Sequence, residues 1–306
     1  MSWSTLTAAS KSRVLGLLLS CILVIASLGV LSVKGLNFGL DFTGGYITEI
    51  NTTSVTTIAD LKAKLSPEIA NKLTITKAGE YHFVLREAPE LSEASNWQSE
   101  LNEQGVEFTV LSSSFLGSQV GDELFEQGCL ALFAALIAIM VYLAVRFEWR
   151  LAVGSVVALL HDLILVLGLF SLLGLEFNLT VLASLLAIIG YSLNDSIIVG
   201  DRVRELLRIQ PDNQRINTHF VINDAIGSTL TRTLITSGTT LATIACIWLL
   251  AGAALTGFAI ALFAGIVVGT FSSICIAATL PQLLGLSSDN YTQTLDDKTK
   301  AYMDMP

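Results

Sequence analysis

The sequence predicts an α-helical membrane protein with six membrane-spanning helices and one small α+β domain inserted after the first helix. Three observations carry this. Of 306 residues, 52% are hydrophobic and only 14% are charged, where a soluble domain carries about 25%. Mean hydropathy is +0.66. Almost the whole charge imbalance of the chain lies in one segment, residues 34–126.

The spans follow in order, since about 20 apolar residues cross about 30 Å of hydrocarbon. Val14–Val33 is uncharged and follows Lys11 and Arg13. A cleaved signal peptide is the alternative there, but its apolar core runs about 7–15 residues, which this stretch exceeds. Gly128–Val145 ends at Arg146, Leu151–Leu173 contains His161 and Asp162, and Leu179–Gly200 contains Asn194 and Asp195. No Asp, Glu, Lys, Arg or His occurs from Thr233 to Ser288. Divided near Ala251–Gly257, that run supplies spans five and six, with Pro281 as the expected stop. Residues 128–288 thus hold spans two to six.

Loop charge orients the chain. Arg146 and Arg150 flank the connection between spans two and three, and Arg202, Arg204, Arg208, Arg215 and Arg232 crowd that between four and five. The loops at Gly174–Asn178 and Ala251–Gly257 carry no Lys or Arg. Positive loops stay in the cytoplasm, which puts residues 1–13 and the tail 289–306 inside and residues 34–126 in the periplasm. The connection at about 201–226 reads as amphipathic around Arg202, Leu206 and Leu207, lying along the inner membrane surface near lipid phosphates.

Residues 34–126 carry six Lys/Arg and fourteen Asp/Glu, a net of −8 within the chain total of −9. Tyr46–Thr52 alternates as a strand, and Thr57–Leu65 is helical up to Pro67. Leu73–Lys77 and Tyr81–Glu87 are strands joined at Ala78-Gly79. Ser92 caps a helix through Glu93, Trp97, Glu100 and Leu101 to Gly105, and Val106–Leu111 closes as a strand. The order βαββαβ is that of a ferredoxin-like domain. With His82 as its one histidine, no cysteine and no triad, it reads as a mechanical or interaction module.

Composition and motifs weigh against several classes, with an intramembrane aspartyl protease kept as an alternative. The acidic balance and pI near 4.8 speak against nucleic acid as a partner. No GxxxxGK[ST] is present for an ATP-driven motor. Cys21, Cys129, Cys246 and Cys275 each lie in apolar runs and read as small buried hydrophobes, against a disulfide or zinc framework. An intramembrane aspartyl protease would need a GxGD context that neither Asp162 nor Asp195 has, and no HExxH exists for a metalloprotease. A passive scaffold is disfavoured by the cost of the intramembrane charges.

Those charges are the candidate site, because ionisable groups within spans are costly and face a bundle interior. On the Asp195 helix, Tyr191, Ala187, Ser184 and Thr180 share its face. Arg232 heads a second stripe of Thr236, Thr239, Thr240 and Thr243. Both charged groups sit near the cytoplasmic ends of oppositely directed neighbouring helices. Burial penalises an ionised carboxyl and a nearby guanidinium favours it. A change in their separation would therefore switch the protonation of Asp195, whereas a static ion pair would only be structural. Asp162, with Ser155 on its face, is either a relay member or an interhelical hydrogen-bond partner. His161 points about 100° away and reads as packed or hydrogen-bonded. Asn194 and Ser192 complete the polar set, and Gly265 and Gly269 form a GxxxG for close packing.

The stretches Gly39-Leu40-Asp41-Phe42-Thr43-Gly44-Gly45 and Gly117-Ser118-Gln119-Val120-Gly121-Asp122-Glu123-Leu124, Arg146–Leu151, His161-Asp162, Ile189–Asp195 with Asp201-Arg202, and Arg232–Gly238 together resemble the SecF family of protein-export membrane proteins. That family sits within the SecD/SecF group of the RND superfamily. Ser196 stands where threonine is common in the family. The resemblance implies an RND-like half of six helices whose other half is SecD, in a bacterial inner membrane. SecYEG, YajC and a translocating preprotein would be further partners. It implies a proton pathway through the residues at Asp195 and Arg232, coupled to a moving periplasmic domain. Asp41, Gly44, Gly45, Gly117 and Gly121 would form the bending connections, although rigid turns need glycine too. No cofactor is implied beyond the coupling ion, with H⁺ favoured and Na⁺ left open. A small-molecule exporter of the same superfamily would need larger outside domains than the acidic segment provides.

Overall fold

A computed structural model of the chain describes residues 8–54, 56–87, 97–208 and 218–286. Six helices are long and apolar enough to cross a membrane: Ser10–Lys34, Ser118–Arg146, Trp149–Leu173, Leu179–Arg208, Thr218–Leu250 and Leu255–Leu283. In chain order the elements are α1 (Ala8–Lys34), β1 (Asn37–Phe38), α2 (Leu40–Thr43), β2 (Gly45–Thr52), α3 (Ile58–Ala63), α4 (Pro67–Lys72), β3 (Leu73–Lys77) and β4 (His82–Glu87). Then come α5 (Trp97–Glu103), β5 (Phe108–Leu116), α6 (Ser118–Arg146), α7 (Trp149–Leu173), β6 (Glu176–Phe177), α8 (Leu179–Arg208), α9 (Thr218–Leu250) and α10 (Ala253–Ser272). A π-helical turn at Ser273–Ala277 and α11 (Leu280–Leu283) complete the sixth span.

The sheet order is β3-β4-β2-β5, with every neighbouring pair antiparallel. This is the ferredoxin-like arrangement. Alternating residues of β2, β3 and β4 (Ile50, Ile75, Phe83, Leu85) point to one face and bury against Leu61, Leu65, Ile69, Trp97 and Leu101. Thr57 caps α3 in a reciprocal capping box with Asp60, and hydrogen bonds from the Thr57 side chain and backbone hold the Asp60 carboxyl below its usual range. Pro67 does more than stop a helix: it occupies the first turn of α4, where its missing N–H costs nothing. The last strand extends five residues beyond the Leu111 expected from sequence. Its pairing with β2 runs on to Gly45↔Leu116, past a one-residue bulge between Ile50↔Val110 and Glu49↔Ser112. Ser92 and Glu93 lie outside the described residues.

The membrane helices differ from expectation at their ends. Helix α6 begins at Ser118, so the Gly117–Leu124 stretch is its first turns. Residues 209–217 of the connection at 201–226 lie outside the described residues; its described parts are not a separate surface segment, because Asp201–Arg208 continue α8 and Thr218–Ile226 open α9. Its apolar face packs instead within the protein: Val203, Leu207, Val221, Ile222 and Ala225 meet Leu143 and Phe147. Arg215 and the tail 289–306 lie outside the described residues. Pro281 sits in the first turn of α11 and not beyond the sixth span, because the π turn has already ended the regular helix. Helix α10 lies on α8 through the GxxxG pair, with Gly265 against Ile188 and Gly269 against Ser192.

Candidate functional site

Two buried carboxyls lie in the helix bundle, and they are treated differently. Asp162 on α7 is fully buried. Its Oδ2 accepts from Ser192 Oγ of α8 at 2.5 Å and Ser272 Oγ of α10 at 2.9 Å. Its Oδ1 is 2.9 Å from His161 Nδ1. One side chain thus joins three helices. Asp195 on α8 is 1% exposed, yet neither carboxylate oxygen has a hydrogen-bond partner. The buried hydroxyls of Ser196 on α8 and Thr233 on α9 are also unbonded. Each such group costs about 1–3 kcal/mol relative to a satisfied one, so a structural role alone does not account for them.

Arg232 is exposed on α9. Its charge reaches Asp195, but among the described residues no ion pair joins the two. The Thr236, Thr239, Thr240 and Thr243 stripe shares its outward side, and these hydroxyls bond to carbonyls of their own helix. The face of α9 that is buried carries Thr233 and Ser237. There Tyr191 Oη donates to Ser237 Oγ at 3.2 Å, and Ser237 is 2.8 Å from Thr270 Oγ1 of α10. Asn194 is exposed and stands apart from the Asp195 face. Ser272 escaped the sequence reading, because one serine in a charge-free run carries no signal until packing puts it opposite Asp162.

At the other end of α8 the connecting segments are tightly built. Asp41 Oδ2 accepts from Leu179 N at 2.9 Å, placing a carboxylate at a helix N-terminus, where the dipole favours it. Strands β1 and β6 pair in parallel, and Phe42 stacks on Phe177 with centroids 5.8 Å apart. Gly44 (φ +72°) and Gly45 (φ +134°) are in conformations that suit glycine. Gly121 packs so closely that an added Cβ would lie 2.6 Å from Phe42 O. Gly117, in contrast, is extended at the start of α6, with nothing nearer than 3.9 Å to such a Cβ.

Arg86 of β4 pairs with Glu176 of the α7–α8 loop at 2.5 Å, linking the α+β domain to the bundle. A pair of this kind, with both side chains about a quarter exposed, contributes about 1 kcal/mol. Arg86→Ala is therefore expected to speed amide exchange at Gly39, which donates to Phe177 O, by about fivefold. Hydrogen-exchange mass spectrometry of the 35–45 segment checks this; unchanged exchange would show that the pair does not hold the domain.

Comparisons with known proteins agree with this architecture. Residues 96–286 match the family model described as protein export membrane protein SecD/SecF, C-terminal, and residues 29–53 match the SecD/SecF GG motif. A protein translocase subunit SecF of Desulfurispirillum indicum is 40% identical over 279 residues, covering 88% of this chain and 89% of the relative. The SecF of Escherichia coli O157:H7 is 38% identical over 291 residues, covering 92% and 89%. Among solved structures, SecDF from Thermus thermophilus, described as a translocon-associated membrane protein, superposes with TM-score 0.79 at 33% identity. SecDF in a super-membrane-facing form gives 0.66 at 32% identity. The two matches cover 93% and 97% of this chain, which spans 39% of either SecDF chain.

Proposed function

The chain belongs to the SecD/SecF family of protein-export membrane proteins, and from that premise we propose that it couples inward proton flow to work on exported polypeptides. It acts as a transport subunit of the protein translocase, multi-pass in the bacterial inner membrane. Both termini are cytoplasmic and residues 34–126 are periplasmic.

The observation that carries the proposal is Asp195: a buried carboxyl with neither oxygen bonded, in the helix whose other end is capped from the domain-bearing segment by Asp41. From Leu179 to Asp195 is about 24 Å at 1.5 Å per residue. A change of charge at Asp195 alters the cost of its burial by several kcal/mol, which is enough to shift a helix between two packings. Helix α8 carries that displacement to the Asp41 cap and the Arg86–Glu176 pair, and so to the ferredoxin-like domain. The close contacts at Gly44, Gly45 and Gly121 make the connections stiff enough to transmit it. The domain then acts on a preprotein leaving the SecYEG channel, with YajC as an accessory.

The exposed Arg232 supports a SecD partner. A guanidinium within a membrane span does not face lipid at acceptable cost, so another subunit's helices cover this side of α9. Asp162, Ser192 and Tyr191 complete the proposed ion pathway inside the bundle, while Asn194 and Thr236, expected in it from sequence, face outward and would join it only across the SecD interface. Arg232→Met is expected to leave the subunit inserted at normal levels while preprotein export loses its response to an imposed proton gradient. Export by membrane vesicles under H⁺ or Na⁺ gradients, with subunit level measured by blotting, tests this. An absent or unstable subunit would instead assign Arg232 a static structural role, and a response to Na⁺ alone would replace the proton as coupling ion.

A further inference from the structure

The hydrogen bonds around Asp162 define a site with two arrangements. Ser272 has one hydroxyl hydrogen and two acceptors within reach, Asp162 Oδ2 at 2.9 Å and its own helix carbonyl Gly269 O at 3.1 Å. It can serve only one at a time. His161 is 4% exposed; its Nδ1 meets Asp162 and its Nε2 has no partner. His161 lines a groove of about 360 Å³ between α1 and α7, beside Ser20, Cys21 and Val24, with Nε2 itself buried. Ser20 Oγ, also buried, is likewise unbonded. Two buried, unbonded polar groups thus lie together beneath the otherwise apolar wall of one groove.

Other charge is scarce around the pair. The α1 side presents Ser20 and Cys21, the π turn presents Ile276, and α8 and α10 present Ser192 and Ser272. Among the described residues, His161 is the chargeable side chain that pairs with Asp162. Arg13, at the start of α1, bonds to Ser10 and Thr279.

We propose that His161 and Asp162 form a second proton-binding site, loaded at His161 Nε2 from the α1–α7 groove, whose occupancy switches the Ser272 hydroxyl between Asp162 and Gly269. In the empty state Asp162 is a carboxylate accepting from Ser192, Ser272 and the Nδ1–H of neutral His161. A proton binds at Nε2, and the Nδ1 proton passes to Asp162 Oδ1. The result is a neutral acid beside the opposite neutral tautomer, with one proton taken up. The neutral acid holds the Ser272 hydroxyl less strongly, because charged acceptors bind about twice as well as neutral ones, and Ser272 turns to Gly269. Ser192 lies three residues from Asp195 on α8, which places the site one helical turn from the coupling carboxyl. What the proton does beyond Ser192 rests on the role proposed for Asp195; the titration of the pair does not.

The test uses the full chain in lipid nanodiscs, with ¹⁵N-histidine NMR and infrared detection of protonated carboxyl groups over the pH range in which it stays folded. The chain has three histidines; His161 is assigned by its slow solvent exchange in the parent and by loss of its signal in His161→Gln. The expected result is a switch of the His161 tautomer from Nδ1–H to Nε2–H that shares its midpoint with a carboxyl band. That band persists in Asp195→Asn and is lost in Asp162→Asn. Ser272→Ala, the variant least disruptive to folding, removes a bond to the charged carboxylate, so the pair takes up its proton more readily. A parent His161 fixed in one tautomer, with no carboxyl band surviving in Asp195→Asn, overturns the site and leaves the role of Asp195 standing. A switch unaffected by Ser272→Ala overturns the hydroxyl exchange.

Discussion

Asp195→Asn is expected to reduce gradient-dependent preprotein export to the level seen with no gradient, while the subunit remains inserted and folded. Asn is nearly the same size as Asp and fits the same cavity on α8. What it removes is the ability to change charge. In the structure Asp195 has no hydrogen-bonding partner to lose, so the substitution breaks no network and should not destabilise the bundle; relief of a buried charge would if anything stabilise it. This separates chemistry from packing. Export driven by an imposed proton gradient in inverted vesicles, with thermal unfolding of the purified variant alongside, measures both. Export that still rises fully with the gradient would remove Asp195 from the mechanism. Lost export with a large drop in stability would make it a structural residue.

The second large effect is on the connection between membrane and domain. Gly45→Ala is expected to destabilise the docked domain by about 3 kcal/mol or more. The residue has φ +134°, and an added Cβ would collide with the Glu87 backbone carbonyl of β4. Glu87 pairs with Tyr46 in the ladder, so relief requires separating β2 from β4 at the edge nearest the membrane. Exchange at the β2 and β4 amides should accelerate by about a hundredfold. Gly117→Ala is the control, since its Cβ would meet nothing within 3.9 Å and its φ of −65° is open to any residue. Equal exchange in the two variants would show that Gly45 is not a point of rigid contact.

The contrast between these two glycines shows where sequence reading reaches its limit. Both lie in stretches that resemble the same family and both were grouped as bending connections, yet only one is held against backbone. The intramembrane threonines make the same point. Thr236, Thr239, Thr240 and Thr243 form a regular helical stripe with Arg232, and the stripe is real. It faces outward, while Thr233 and Ser237, one position further round, are buried, and Ser237 meets Tyr191 of α8. Periodicity establishes that residues share a face and says nothing about which neighbour that face meets. The amphipathic pattern at 201–226 is equally genuine, but its described apolar residues Val203, Leu207, Val221 and Ile222 pack with Leu143 and Phe147.

Read alone, the sequence determined the six spans, the acidic insertion and its βαββαβ order, because lipid burial and strand alternation are one-dimensional patterns of residue type. It also singled out Asp195, Arg232 and Asp162 as the charges that need explaining. Only the tertiary structure decided that Asp162 is bonded by three side chains while Asp195 is bonded by none, that Arg232 faces outward, and that Arg86 meets Glu176. Those outcomes depend on the rotation and depth of each helix against its neighbours. Side-chain packing across the whole bundle sets both, and no single segment encodes them.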